Sequence, residues 1–183
     1  MFDEKDIVNK ILNGDTSQFE KIVDEYKNRL YSFLYRMSFN ESISEEVLQQ
    51  AFLKAFKYLH KWNPEKGLKN WLYQITRNCY YDYAKKENKF NLVSMEDIKF
   101  FLSSEAPGPE DKAISRTELS YVIKKIYQLS SKYSEILILR FIEEKTYDEI
   151  SEILNIPLGT VKIRIYRAKV KLNASLQGDN SGL

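Results

Sequence analysis

Residues 155–172 read NIPLGTVKIRIYRAKVKL, and the rest of the chain is understood from this stretch outward. It carries five basic residues, Lys162, Arg164, Arg167, Lys169 and Lys171, and no acid. Val161, Ile165, Ala168 and Leu172 fall at i, i+4, i+7 and i+11, one stripe of a helix. At about 100° per residue, Lys162, Ile163, Tyr166 and Arg167 project onto roughly the opposite face. One face can enter a core while the other offers cations, a phenol and a branched aliphatic to a partner. Upstream, Thr146 and Glu149 have the T-x-x-E spacing of a capping box and open a short amphipathic segment ending at Leu154. Asn155-Ile156-Pro157 then breaks it. A short helix, a tight turn and a basic second helix predict a helix-turn-helix whose second helix enters the major groove.

The chemistry of the exposed quartet supports duplex reading. Lys162 or Arg167 can pair with guanine O6 and N7, and Ile163 can meet a thymine methyl. Thr160, at the helix start, suits a backbone phosphate, helped by the helix N-terminus. A merely solvated basic face is the bland alternative. Against it stand the absence of acids, the preceding helix and turn, and an isoleucine on a face that should be polar.

At 183 residues and 43% apolar content, the chain has room for one domain or two small ones with real cores. Net charge is only +2, so nucleic-acid binding rests on local patches and not on the total. One cysteine, Cys79, excludes an internal disulfide and fits a reducing compartment. One histidine, His60, leaves no His/Cys metal site to assemble, and neither a metal nor a cofactor is expected. MFDEKDIVNK is not a signal peptide, and ILILRFI falls far short of the ~20 apolar residues that span a bilayer. A cytoplasmic protein is expected.

Helical spacing runs through Ile7, Val8, Ile11 and Leu12, breaks at Gly14-Asp15-Thr16, and resumes from Phe19 through Ile22, Val23, Tyr26, Leu30, Phe33, Leu34 and Met37. Asn40 to Ser44 reads as a polar turn. A helix from about Ser44 comes next, with Val47, Leu48, Ala51, Phe52, Ala55, Phe56 and Leu59 buried and Glu45, Glu46, Gln49 and Gln50 outside. His60 to Lys69, with Pro64 and Gly67, is expected to be a loop, and Asn70 to Lys86 a helix. Residues 91–114, acidic and carrying Pro107-Gly108-Pro109, read as a flexible linker with a turn of helix near Met95 to Leu102. Helices return from Glu118, with Leu119, Val122, Ile123 and Ile126 on one stripe and Ile136, Leu137, Leu139 and Phe141 in a second cluster. The expected architecture is all-α: a domain over 1–90, the linker over 91–114, a helix-turn-helix domain over 115–177 and a frayed tail over 178–183.

Two further constellations remain open on composition alone. In residues 66–89, Trp71, Tyr73, Tyr80, Tyr81 and Tyr83 alternate with Lys66, Lys69, Arg77, Lys85, Lys86 and Lys89. That pattern suits a single strand, whose bases stack on π-faces while cations follow phosphates, and it equally suits a helix with a thick aromatic core; Trp71 and Ile75 are expected inside in either case. The Glu45, Glu46, Gln49, Gln50 face is physically an exposed acidic and amide surface and nothing more.

Four blocks together resemble one family: GDTSQFEKIVDEY, SEEVLQQAFLKAFKYLHKWNPEKG, LKNWLYQITRNCYYDYAKK and TYDEISEILNIPLGTVKIRIYRAKVKL. In this order and spacing they resemble the extracytoplasmic-function RNA polymerase sigma factors, with room for the family's regions two and four. The resemblance implies that Glu46, Gln49 and Gln50 bind the coiled coil of the polymerase β′ subunit, and that the other domain engages the β flap. The family more often has Asp and Glu where this chain has Glu46 and Gln50. The resemblance also implies that the Trp62 to Lys69 loop, including Lys66, captures a flipped base of the melted minus-ten strand together with Trp71, Gln74, Arg77 and Asn78. Gln74 stands where the family often has Arg. Leu72 follows Trp71 where housekeeping members have paired tryptophans, which implies weaker strand opening and stricter promoter choice. Thr160, Lys162, Ile163, Tyr166 and Arg167 match the minus-thirty-five contacts.

The implied function is a non-enzymatic initiation factor that binds core polymerase and promoter DNA, duplex and single strand, for a stress or envelope regulon. An anti-sigma partner, often membrane-anchored, is implied as well, and no small-molecule substrate is expected. The competing classes are a stand-alone DNA-binding regulator with a sensor or dimerisation module, and an RNA-binding protein.

Overall fold

The computed structural model describes residues 3–87 and 116–178. Among them there is no strand, and the helices fall into two units. The expected linker over 91–114, its turn near Met95 to Leu102, and residues 179–183 lie outside the described residues.

In the first unit, Asp3 caps α1 (Glu4–Leu12), its Oδ1 accepting from the Lys5 and Asp6 N–H groups at 3.0 and 3.2 Å. α2 (Phe19–Ser38) ends where Phe39 turns left-handed at φ 47°. α3 spans Glu41–Tyr58, three residues earlier than the apolar pattern predicts. The polar run that reads as a turn is its start: Asn40 Oδ1 accepts the Ile43 N–H at 2.9 Å, a side-chain N-cap. Ser44 therefore sits inside the helix, fully buried, its Oγ donating to the Asn40 carbonyl at 2.7 Å. The segment expected as a loop over 60–69 is also more ordered than expected. It holds two 3₁₀ turns, Leu59–Lys61 and Pro64–Lys66, and α4 (Leu68–Lys86) begins at its end.

α2, α3 and α4 pack on one another around Leu30, Phe33, Leu34, Val47, Ala55, Leu68 and Leu72, all essentially removed from solvent. Each of the larger of these side chains contributes about 1.5–3 kcal/mol through burial. Phe33 and Tyr73 pack with ring centroids 5.0 Å apart. Cys79 and Tyr80 join the cluster, and the Tyr80 hydroxyl donates to the Met37 carbonyl at 2.7 Å. Phe56, expected in this core, is 42% exposed and lies edge-on to Phe19. Trp71 and Ile75, expected inside, are only half-buried.

In the second unit, α5 (Arg116–Gln128) and α6 (Ser131–Leu137) pack on each other and on α8 (Leu158–Gly178). α6 runs into a π-helical turn, Ile138–Ile142, closed by the Glu143 N–H on the Ile138 carbonyl at 2.9 Å. The wider turn shifts the register of the residues after it. Ile138 and Leu139 stay buried, whereas Phe141, expected beside them, is half exposed. α7 (Tyr147–Leu154) opens on the predicted capping box. The Thr146 N–H donates to Glu149 Oε2 at 2.8 Å, and the Glu149 N–H donates to Thr146 Oγ1 at 3.2 Å. Asn155 ends α7 in the left-handed region at φ 51°, a conformation Asn tolerates at a helix C-terminus. α8 continues to Gly178, so the first residue assigned to the tail is still helical.

Candidate nucleic-acid and partner interfaces

The two faces of α8 separate as its periodicity requires. Val161, Ile165 and Ala168 are buried and Leu172 partly so. Lys162 and Arg167 are exposed, with Ile163 at 55% and Tyr166 at 69%, and Thr160 is half-buried at the helix start. An isoleucine and a tyrosine this exposed, between two cations, form a surface suited to base edges and phosphates. The five basic residues of the stretch are not equivalent. The ammonium groups of Lys169 and Lys171 lie 5.0 and 5.5 Å from the rings of Phe141 and Tyr133, so these two lysines lean on aromatics of their own unit.

The residues expected to take a melted strand divide by environment. Lys66 and Asn78 are exposed, and Lys69, Trp71, Gln74 and Arg77 are half-buried along the loop and the first turns of α4. Arg77 donates to Asn78 Oδ1 at 3.0 Å and lies 4.8 Å from the Tyr81 ring centre, so Arg77, Asn78 and Tyr81 form one linked surface. Because a guanidinium only donates, the amide oxygen of Asn78 faces it and the amide donors remain for a ligand. Trp62 is different. It is 8% exposed, and its Nε1 is buried without a partner. It can back the loop from inside, not lie open to a base.

The loop joins α4 through Gly67, at φ +65° and ψ 140°. A Cβ there would meet nothing within 4 Å, so the demand on glycine is purely conformational. Gly67→Ala should cost about 1–3 kcal/mol through backbone strain. A lowered denaturant midpoint at unchanged slope is the expected result; a wild-type midpoint would mean that the left-handed conformation is not needed.

On α3, Glu46, Gln49 and Gln50 are all exposed, and Gln50 Nε2 donates to Glu46 Oε1 at 3.2 Å. Leu53, 66% exposed, stands one turn further along the same face, an apolar member that the sequence reading places on neither side of the helix. Its i+3 spacing from Gln50 is the signal that could have found it.

Cys79 is buried, and burial pushes its thiol up despite the nearby Lys54 ammonium. Among the described residues no group of His, Cys, Asp or Glu is placed to hold a metal ion. No helix among them is long and apolar enough to cross a membrane.

Residues 22–90 match the model of Sigma-70 region 2 and residues 120–172 that of Sigma-70 region 4. The chain is 32% identical over 177 residues to the ECF RNA polymerase sigma factor SigW of Bacillus subtilis, covering 93% of this chain and 95% of that one. It is 25% identical over 178 residues to the ECF RNA polymerase sigma-E factor of Escherichia coli, with 93% of each covered. Two solved structures share the fold. CnrH in complex with the cytosolic domain of CnrY superposes at a TM-score of 0.65, with 21% identity over 94% of this chain and 96% of that one. RpoE of Bartonella quintana, in complex with the anti-sigma factor NepR, gives 0.60, with 22% identity over 87% and 96%.

Proposed function

This chain belongs to the extracytoplasmic-function RNA polymerase sigma factors, and we propose that it grips one promoter at two places while holding core polymerase at a third. Lys162, Ile163, Tyr166 and Arg167 read the duplex minus-thirty-five element, with Thr160 on a backbone phosphate. Trp71, Gln74, Arg77 and Asn78, with Lys66 and Lys69 following the phosphates, hold the melted minus-ten strand, and Trp62 supports that loop from beneath. Glu46, Gln49 and Gln50 meet the β′ coiled coil, and the second unit meets the β flap. The domains divide accordingly, 1–90 for core and minus-ten and 115–177 for minus-thirty-five. The chain performs no catalysis of its own; phosphodiester synthesis belongs to the polymerase, and the protein works where the polymerase is, in the cytoplasm. By extension from the Bartonella relative, an anti-sigma factor masks these surfaces until a stress signal releases them.

One observation carries this reading: the exposed cation-aromatic quartet of α8 lies opposite the buried Val161, Ile165 and Ala168, in a chain that also supplies the α3 and α4 faces. Run-off transcription with purified core polymerase tests it. Promoter-specific transcripts that depend on this chain are the expected product. Tight duplex binding by a dimer without initiation would instead identify a stand-alone regulator, and single-strand affinity without any duplex preference an RNA-binding protein.

A further inference from the structure

The division of labour along α8 leaves one cation unused. Arg164 lies between the buried stripe and the exposed quartet, and its Nε is buried with no hydrogen-bond partner. A donor held away from water and left unpaired costs its full desolvation, and native proteins rarely tolerate such groups without a reason. Arg164 lines a cleft of about 60 Å³ together with Lys132 and Tyr133 of α6 and Thr160, Ile163 and Arg167 of α8. Three cations and no Asp or Glu line it. The Lys132 ammonium lies 5.6 Å from the Tyr133 ring centre, and Lys171 reaches the same ring at 5.5 Å. Four positive charges thus gather about one small recess, repelling one another with no acidic side chain in its lining.

A planar guanidinium fork, an ammonium and a hydroxyl are the donors that bind a tetrahedral oxyanion. We propose that this cleft seats one backbone phosphate of the promoter duplex, clamped by Arg164 and Lys132. The inference rests on α8 being the helix that reads the minus-thirty-five element, and it adds α6 to that interface through a lysine and a tyrosine that no sequence motif picked out. Ile163 and Arg167 belong both to the cleft wall and to the base-reading face. A phosphate in the cleft therefore sets the depth at which those two side chains meet the base edges.

The test uses the full chain with core polymerase and a series of promoter duplexes, each with a single phosphate replaced by a neutral methylphosphonate. The wild-type complex should lose about tenfold in affinity at one position flanking the minus-thirty-five element. Lys132→Gln and Arg164→Gln should each lose a similar factor on unmodified DNA, lower the salt slope by about 0.9, and lose nothing further on that one modified duplex. Losses that simply add at every position would overturn the seat. Should Arg164→Gln also lower the thermal midpoint, Lys132→Gln, whose side chain is exposed, decides the matter alone. A wild-type complex indifferent to the minus-thirty-five sequence would instead refute the reading of α8 itself. Base preference that Lys162 and Arg167 control, with no phosphate coupled to either clamp residue, would refute the seat only.

Discussion

Alanine at both Lys162 and Arg167 should abolish initiation that depends on the minus-thirty-five element while leaving core polymerase binding intact. Both side chains stand in solvent on α8, opposite Val161, Ile165 and Ala168, so their removal leaves the core of the second unit untouched. A direct base contact is worth ~1–3 kcal/mol, so two together remove roughly thirty-fold to 10⁴-fold in promoter affinity. The loss should be specific: promoters with an altered minus-thirty-five sequence, already bound weakly, should lose far less. Electrophoretic binding of the reconstituted holoenzyme to matched and altered promoters measures this, and a pull-down of core polymerase measures the other half. Lost core binding would sink the division of labour between the two units.

The second large effect is structural. Phe33→Ala should destabilise the first unit by about 3–5 kcal/mol, because Phe33 is fully buried on α2 and packs against Tyr73 of α4. Domain stabilities are only about 5–15 kcal/mol, so a loss of this size consumes much of the margin. Core polymerase binding should fall at growth temperature, since the α3 face is held by the same packed helices, whereas the fold of α8 should persist. Chemical denaturation followed by far-ultraviolet circular dichroism would separate into two transitions, the earlier one displaced. A single unshifted transition would show that the site can collapse around the lost ring.

Much of this is legible in the sequence because helices advertise themselves locally. The T-x-x-E pair of Thr146 and Glu149 forms two reciprocal hydrogen bonds, and the stripe of α8 is its buried face. The start of α3 escapes the pattern because a polar run beginning with Asn40 reads as a turn, although Asn is also a strong N-cap. Phe141 is misplaced for a different reason. Hydrophobic periodicity assumes 3.6 residues per turn, and a π-helical turn breaks that assumption without any mark in the composition. For the candidate site, the exposed positions on α3 and α8 come from spacing. The burial of Trp62 does not, because a large aromatic in a Pro- and Gly-bearing loop can face either way.

By itself the sequence determined that this protein is helical, that a basic helix follows a capped one, and which face of that helix is wet. These are consequences of periodicity and capping, interactions that span at most four residues. Only the tertiary structure decided what closes the start of α4. Gly67 offers no side-chain cap there, and the Leu68 N–H is instead taken by Glu4 Oε2 at 2.8 Å, while the other oxygen of that carboxylate accepts the Tyr26 hydroxyl. A carboxylate that caps a helix 64 positions away leaves no local signal. The same is true of the cleft around Arg164, whose walls come from α6 and α8. Long-range pairings of this kind exist only once apolar burial has brought separate helices together.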